Sequence, residues 1–223
     1  MEWSPIILTF ELAAVTTLIL FFLATPMAYW LSFTKSQFKP IVETLVALPI
    51  VLPPTVLGFY LLIAFSPNSA VGQFLNDVFG IQLAFSFSGL VVASIFYSLP
   101  FMVQPIQSGL SNLSSSLTEA SLTLGKSKFT TLTKILLPNI KPSILTGIVL
   151  TFAHTIGEFG VVLMIGGNIP DKTRVASIAI YNEVESLNYS AANGYAIFLL
   201  IVTFSVLLLV YTVNGGFLKK WMS

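Results

Sequence analysis

The 223-residue chain is 55% hydrophobic and only 9% Asp, Glu, Lys or Arg, against about 25% charged residues in an ordinary soluble domain, which argues against a water-soluble monomer. Ten Lys or Arg against nine acids leave a formal charge of +1, too balanced for a nucleic-acid binder with a broad basic face. With no cysteine and a single histidine, His154, disulfides, thiolate metal sites and multi-histidine zinc centres are excluded, and any Ser-His-Asp triad would have to use that one histidine.

A bilayer core about 30 Å thick needs roughly 20 mainly apolar residues. Five windows of that size, bounded by charge or turn residues, cover 6–33, 45–65, 83–103, 143–165 and 195–213. They predict an all-α, polytopic membrane protein with about five transmembrane helices, organised as a single transmembrane domain over residues 1–223. The residues ahead of the uncharged stretch 12–33 of the first window include Glu2 and Glu11 and no Lys or Arg, so the window is read as a retained span rather than a signal peptide.

Spans two and three, with the two residues just past the third, carry Pro49, Pro53, Pro54, Pro100 and Pro105. An interior proline removes a backbone donor and disturbs the preceding turn, and in lipid the freed carbonyl needs a partner in the protein or in a water-filled path. Each such position reads either as a static kink or as part of a transport pathway. The cluster Pro49, Pro53 and Pro54, packed into about one and a half turns, is the strongest of them.

Basic residues mark the cytoplasmic side. Lys35 and Lys39 lie between spans one and two, Lys126, Lys128, Lys134 and Lys141 between three and four, and Lys219 and Lys220 after five; Lys172 and Arg174 fall on the other side, beside Asp77, Asp171, Glu183 and Glu185. The expected topology has the N-terminus outside and the C-terminus in the cytoplasm. Tyr29, Trp30, Tyr195 and Tyr211 sit where interfacial aromatic belts would lie, although a chain with 13% aromatic residues places some there in any case.

The segment 113–140 is too long for a plain connection and does not span. Ser116 and Glu119 have the spacing of a capping box, which predicts a helix start near Leu117. Gly125 is placed to end that helix with positive φ, and Phe129, Leu132, Ile135 and Leu136 repeat at helical spacing until Pro138 closes a second helix. Two short helices joined by a glycine elbow, with an apolar stripe, are expected to dock on the bundle, the lipid surface or a soluble partner.

This loop carries a family resemblance. Glu119-Ala120-Ser121, three residues, Gly125, nine residues, Ile135, one residue and Leu137-Pro138 resemble the E-A-A-x3-G-x9-I-x-L-P loop of permease subunits of ATP-binding-cassette importers, with Ser121 in place of the usual alanine. Over nearly its whole length the chain is also similar to the permeases of molybdate importers, through the stretches 48–60, 85–103, 157–160 and 167–173; sulfate permeases resemble the last two as well. The resemblance implies the type I importer permease fold and a cytoplasmic loop that inserts into a cleft of a separate ATPase. Glu119 would then brace the elbow, Gly125 would supply a turn that a Cβ would obstruct, and Ser121 is small enough to keep the packing close. It further implies a permease homodimer, two ATPase subunits that hold the ATP, no cofactor in this chain, and an extracytoplasmic protein that delivers molybdate or tungstate for alternating access.

Span four holds the only ionisable groups well inside a predicted span, His154 and Glu158, four residues apart on one predicted helix face. Two readings stay open: a mutual hydrogen bond that fixes the span, or a place, with Gly157, on the translocation path or a helix interface. A carboxylate repels an oxyanion, so Glu158 is not expected to bind cargo, and a zinc site lacks a third ligand. A secondary transporter would need an internal repeat and more acidic groups at mid-membrane, and an intramembrane enzyme would have only this pair. No G-x-x-x-x-G-K-[ST] phosphate loop occurs, so ATP hydrolysis is expected on another subunit.

Overall fold

A computed structural model describes residues 2–214, so the basic pair Lys219 and Lys220 used for the topology lies outside the described residues. The regular secondary structure among the described residues is all helical, with no strand among them. Three helices are long and apolar enough to cross a membrane: α1 (Ser4–Phe33), followed later by two more reached through shorter pieces. Chain order then gives α2 (Lys39–Val51), α3 (Pro54–Phe65), α4 (Ala70–Phe79) and the second long helix, α5 (Phe87–Ser111). The loop follows with α6 (Ser115–Thr123), α7 (Lys128–Thr131), a π-helical turn (Leu132–Leu136) and α8 (Leu137–Asn139). After it come α9 (Lys141–Gly157), α10 (Gly160–Gly166), α11 (Ala176–Glu185) and the third long helix, α12 (Tyr189–Asn214).

Two bent pairs complete the count of five crossings if each is taken as one span: α2 with α3, bent by 113°, and residues 128–139 with α9, bent by 82°. The predicted second span is therefore two helices meeting at Leu52 and Pro53, both extended, with ψ of 136° and 134°. A proline disfavours helix in the residue before it, and two in succession stop α2 and start α3. Pro49 and, in α5, Pro100 and Pro105 lie inside continuous helices, so those prolines do not break their spans. The third span also starts later and runs further than predicted, because Ser86 caps Gly89 N at 3.1 Å and fixes the start of α5.

The predicted fourth span is broken as well. Its helix α9 ends at Gly157, Glu158 is extended, and α10 restarts at Gly160.

Three apolar clusters stack along the bundle. One gathers Leu12, Phe65, Leu83, Leu90, Val161 and Ile165; a second, Leu20, Leu31, Val46, Met102, Leu110 and Leu136; a third, Ile6, Ala176, Ala179 and Tyr195. Thr9 Oγ1 accepts from Ala176 N at 2.8 Å, and the Tyr195 hydroxyl accepts from Glu2 N at 2.8 Å and donates to Glu2 O at 3.1 Å. These bonds bring the start of α1 to the end that carries α11, while Ser32 Oγ on Gln107 O at 3.2 Å ties the other ends of α1 and α5 beside the lysine-rich loop. Tyr195 is 2% exposed and so anchors the start of α1 from inside the bundle instead of joining an aromatic belt. By contrast the outer face of α12, with Leu200, Phe204 and Leu208, is exposed, as a lipid-facing or partner-facing helix requires.

Candidate functional site

The residues singled out from the sequence fall into two places joined by α9. The first is the loop at the lysine-rich end. Helix α6 starts at Ser115, slightly earlier than predicted: Ser114, not Ser116, is the cap, its hydroxyl accepting from Ser116 N at 3.3 Å. Three serines in a row offer alternative caps, and the extended conformation of Ser114 decides between them. The carboxylate of Glu119 is thereby left exposed, with no side-chain partner among the described residues.

Gly125 has the expected left-handed φ of +71°. The elbow closes through Leu124 N on Ala120 O, Gly125 N on Leu122 O and Lys126 N on Ser121 O, at 2.9 to 3.1 Å. Ser127 caps the second helix, accepting from Thr130 N at 3.1 Å. That helix runs from α7 through the π turn to Asn139, one residue past Pro138, where closure was predicted. Pro138 cannot donate, and immediately before it Leu137 N reaches five residues back to Leu132 O; the wider turn absorbs the missing donor. Ile135 and Leu137 pack half-buried onto the second apolar cluster while Pro138 stays exposed. Around the elbow Leu122, Leu124 and Phe129 are 48%, 75% and 75% exposed, an apolar knob that the other described residues leave uncovered.

The second place is a cavity of about 520 Å³ at the two helix breaks, lined among others by Pro54, Thr55, Tyr97, His154, Gly157 and Glu158. His154 and Glu158 both border it, but the expected bond between them is absent. With the helix interrupted after Gly157, four residues no longer mean one face, and each group has partners of its own. Glu158 is 6% exposed, accepts from Val161 N at 2.7 Å and so caps α10, while Ser177 Oγ donates to its backbone oxygen at 2.6 Å. The break is thus held by its own carboxylate, which satisfies an amide that the interruption would otherwise orphan.

His154 is clamped between rings of α5: Phe101 stacks on it at 3.9 Å and Tyr97 lies at 4.8 Å. Its Nδ1 meets Ser98 Oγ at 3.2 Å, and Ser98 Oγ meets Thr155 Oγ1 at 3.1 Å. Thr155 directs its one proton to Thr151 O at 2.9 Å, so Ser98 donates to Thr155 and receives from Nδ1–H. In the neutral ring Nε2 is then the bare nitrogen, an acceptor with no protein partner among the described residues. Chemically the cavity offers acceptor groups more than cationic ones.

Glycine makes the cavity wall possible. A Cβ on Gly58 would lie 2.9 Å from Met164 Cβ, and one on Gly160 would lie 2.7 Å from Pro54 Cβ, so α3 and α10 pack as one body with their starts side by side. Pro49 is buried inside α2 and does not reach this wall.

Thr55, Tyr97, Ser98, Phe101 and Ser177 escaped sequence reasoning. Tyr97 and Phe101 had a legible signal, since they stand four apart on one face of α5; Ser177 had none, because it lies 19 residues from Glu158. Helix α9, 17 residues and so about 26 Å long, begins at the end of the loop and ends at the cavity.

Residues 12–222 match the family of binding-protein-dependent transport system inner membrane components. The molybdenum transport system permease protein ModB of Azotobacter vinelandii is 46% identical over 95% of this chain and 93% of its own length. The sulfate transport system permease protein CysT of Salmonella typhimurium is 35% identical over 87% of this chain and 70% of its own. The fold is that of a bacterial ABC transporter involved in import of the acidic polysaccharide alginate, with a TM-score of 0.77, 19% identity and coverage of 95% of this chain and 78% of that one. The chain belongs to the binding-protein-dependent transport system inner membrane component family of ABC importers.

Proposed function

We propose that this protein is the permease subunit of a molybdate importer, driven by ATPase subunits that dock on the loop 113–140. The observation that carries this reading is the 46% identity to a molybdenum permease along nearly the whole of both chains, against 35% for the sulfate permease. Tungstate, a tetrahedral dianion like molybdate, is expected to share the path. The chain itself is a non-catalytic subunit: ATP binds and is hydrolysed on its partner.

In this reading two copies of the permease enclose the path, with the lysine-rich end in the cytoplasm, the start of α1 outside and the C-terminus inside. The apolar knob of Leu122, Leu124 and Phe129 seats in a groove of the ATPase, with Glu119 at its edge. When the two ATPases close on ATP, the loop moves, and α9 carries that motion to the cavity at Glu158. There α3 and α10, packed through Gly58 and Gly160, shift as a unit and open toward an extracytoplasmic oxyanion-binding protein. Selectivity rests mainly on that protein, in keeping with a cavity that lacks a cationic wall.

The test is reconstitution in vesicles with the ATPase subunit and a binding protein loaded with molybdate, tungstate or sulfate. Molybdate-loaded protein is expected to stimulate ATP hydrolysis and drive uptake. Stimulation by sulfate alone would replace molybdate with sulfate and leave the permease role standing.

A further inference from the structure

The one departure of the loop from its family pattern, serine at 121, has a partner. Ser121 and Thr131 are 2% and 1% exposed, and their hydroxyl oxygens lie 2.8 Å apart. Thr131 Oγ1 donates to Ser127 O at 2.9 Å. Its only proton is therefore engaged, and Ser121 is the donor of the pair. Among the described residues this is the sole side-chain hydrogen bond from α6 to the second loop helix.

The position of the bond gives it a mechanical meaning. Ser121 stands four residues before the Gly125 pivot and Thr131 six residues after it, and the π turn that leads toward α9 begins at the next residue, Leu132. Backbone bonds close the elbow locally, but a glycine at φ +71° remains a pivot about which α6 could swing. A cross-link on the far side of the pivot turns the two helices into a rigid bracket. A displacement of α6 is then delivered to α9 rather than absorbed at the elbow.

We propose that Ser121 and Thr131 form a buried pin that positions the loop for transmission, and that the serine which breaks the family pattern is there to supply its donor. This inference rests on the reading of the loop as the ATPase contact. The pin does not touch the ATPase or the cargo; both residues are positioning residues. Loss of one neutral hydrogen bond shifts the balance between braced and swung loops by about fivefold.

The experiment measures ATP hydrolysed per molybdate imported in the reconstituted transporter, with thermal stability in detergent alongside. Thr131→Val keeps the shape of the side chain and removes the hydroxyl; Thr131→Ser keeps the hydroxyl and removes the methyl group. Thr131→Val is expected to raise the ATP-to-molybdate ratio several-fold, and Thr131→Ser to stay near the parent protein. Ser121→Ala, and the Ser121→Ala, Thr131→Val pair, which leaves no stranded hydroxyl, are expected to uncouple in the same way with little loss of stability. They carry the test if Thr131→Val alone folds poorly. A space-filling role predicts the reverse order at 131, with serine uncoupled and valine normal, and that result overturns the pin. Gly125→Val, which forces a β-branched residue into left-handed backbone, separates the pin from the loop assignment. If it uncouples while the hydroxyl variants do not, the pin is wrong and the loop assignment stands; if none of them uncouples, the loop assignment falls with it.

Discussion

The cavity is framed by two interruptions of helix that do similar work by different chemistry. Between α2 and α3 the chain turns by 113° at Leu52 and Pro53, and the cause is local and covalent: two prolines that forbid helix in the residues ahead of them. Between α9 and α10 no proline intervenes. There the break exists because Glu158 caps Val161 N and Ser177 holds the Glu158 carbonyl. The first bend would persist in the isolated segment, whereas the second is a property of the folded molecule, since it needs a hydroxyl from α11. A break held by hydrogen bonds can open when its partners move, and it is this one that terminates the helix leading from the loop.

The sharpest way to break the comparison is Glu158→Leu. It removes the cap of α10 and strands a buried amide, a loss of about 1 to 3 kcal/mol. The expected outcome is a clear fall in thermal stability in detergent, with Ser177→Ala falling by less, about 1 kcal/mol. An unaltered midpoint for Glu158→Leu would mean that the break, like the proline bend, is set by the backbone alone.

The contact between the two interruptions can be tested next. Gly160→Val places a branched side chain against Pro54, and Gly58→Val does the same against Met164 and Val161. Overpacking of this kind costs about 1 to 3 kcal/mol, and both variants should lose uptake along with stability, because α3 and α10 can no longer share a face. Loss of stability with full uptake would show that the two helices need not move as one.

These regions are unequally legible in the sequence, for the same physical reason. The three long apolar helices, the glycine elbow and the proline cluster depend on neighbours in the chain and lie close to where the sequence places them, whereas the second and fourth apolar windows are each interrupted. The cap at Ser114 is hidden because three adjacent serines compete for it. The predicted pair of His154 and Glu158 requires an unbroken helix. Gly157 and Gly160 weaken the helix on either side of Glu158, but the partner that helps to hold the interruption, Ser177, lies on another element. The clamp on the histidine is partly legible in the spacing of Tyr97 and Phe101, but the chain of hydroxyls through Ser98 and Thr155 appears only once α5 and α9 are packed.

The separation of His154 from Glu158 has a measurable consequence. If the two were each other's partner, exchanging both for apolar residues would cost far less than the sum of the two single changes. With separate partners the effects should add, leaving a coupling energy within about 0.5 kcal/mol. A double-mutant cycle on thermal stability, using His154→Leu and Glu158→Leu, decides it; a double variant as stable as the parent would restore the mutual pair. Ser98→Ala, which removes the acceptor of Nδ1, should cost about 1 kcal/mol and couple strongly to His154→Leu, since those two do share a bond.

The smallest effect is expected where the sequence speaks most plainly. Pro53→Ala frees Leu52 from preceding a proline, yet the substituted residue would still precede Pro54 and so remain biased toward extended backbone. Pro54→Ala leaves Pro53 in place to restrain Leu52. Each single change should cost about 0.4 to 1 kcal/mol, chiefly through the greater freedom of the unfolded chain, and leave the bend intact. Only the double change removes both restraints and lets α2 and α3 compete to join into one straight helix. Spin labels at Lys39 and Phe65, the outer ends of the pair, would report this as a longer distance in the double variant alone. Straightening in either single variant would show that the proline bend has no more redundancy than the break at Glu158, and the contrast between a covalent bend and a hydrogen-bonded one would lose its basis.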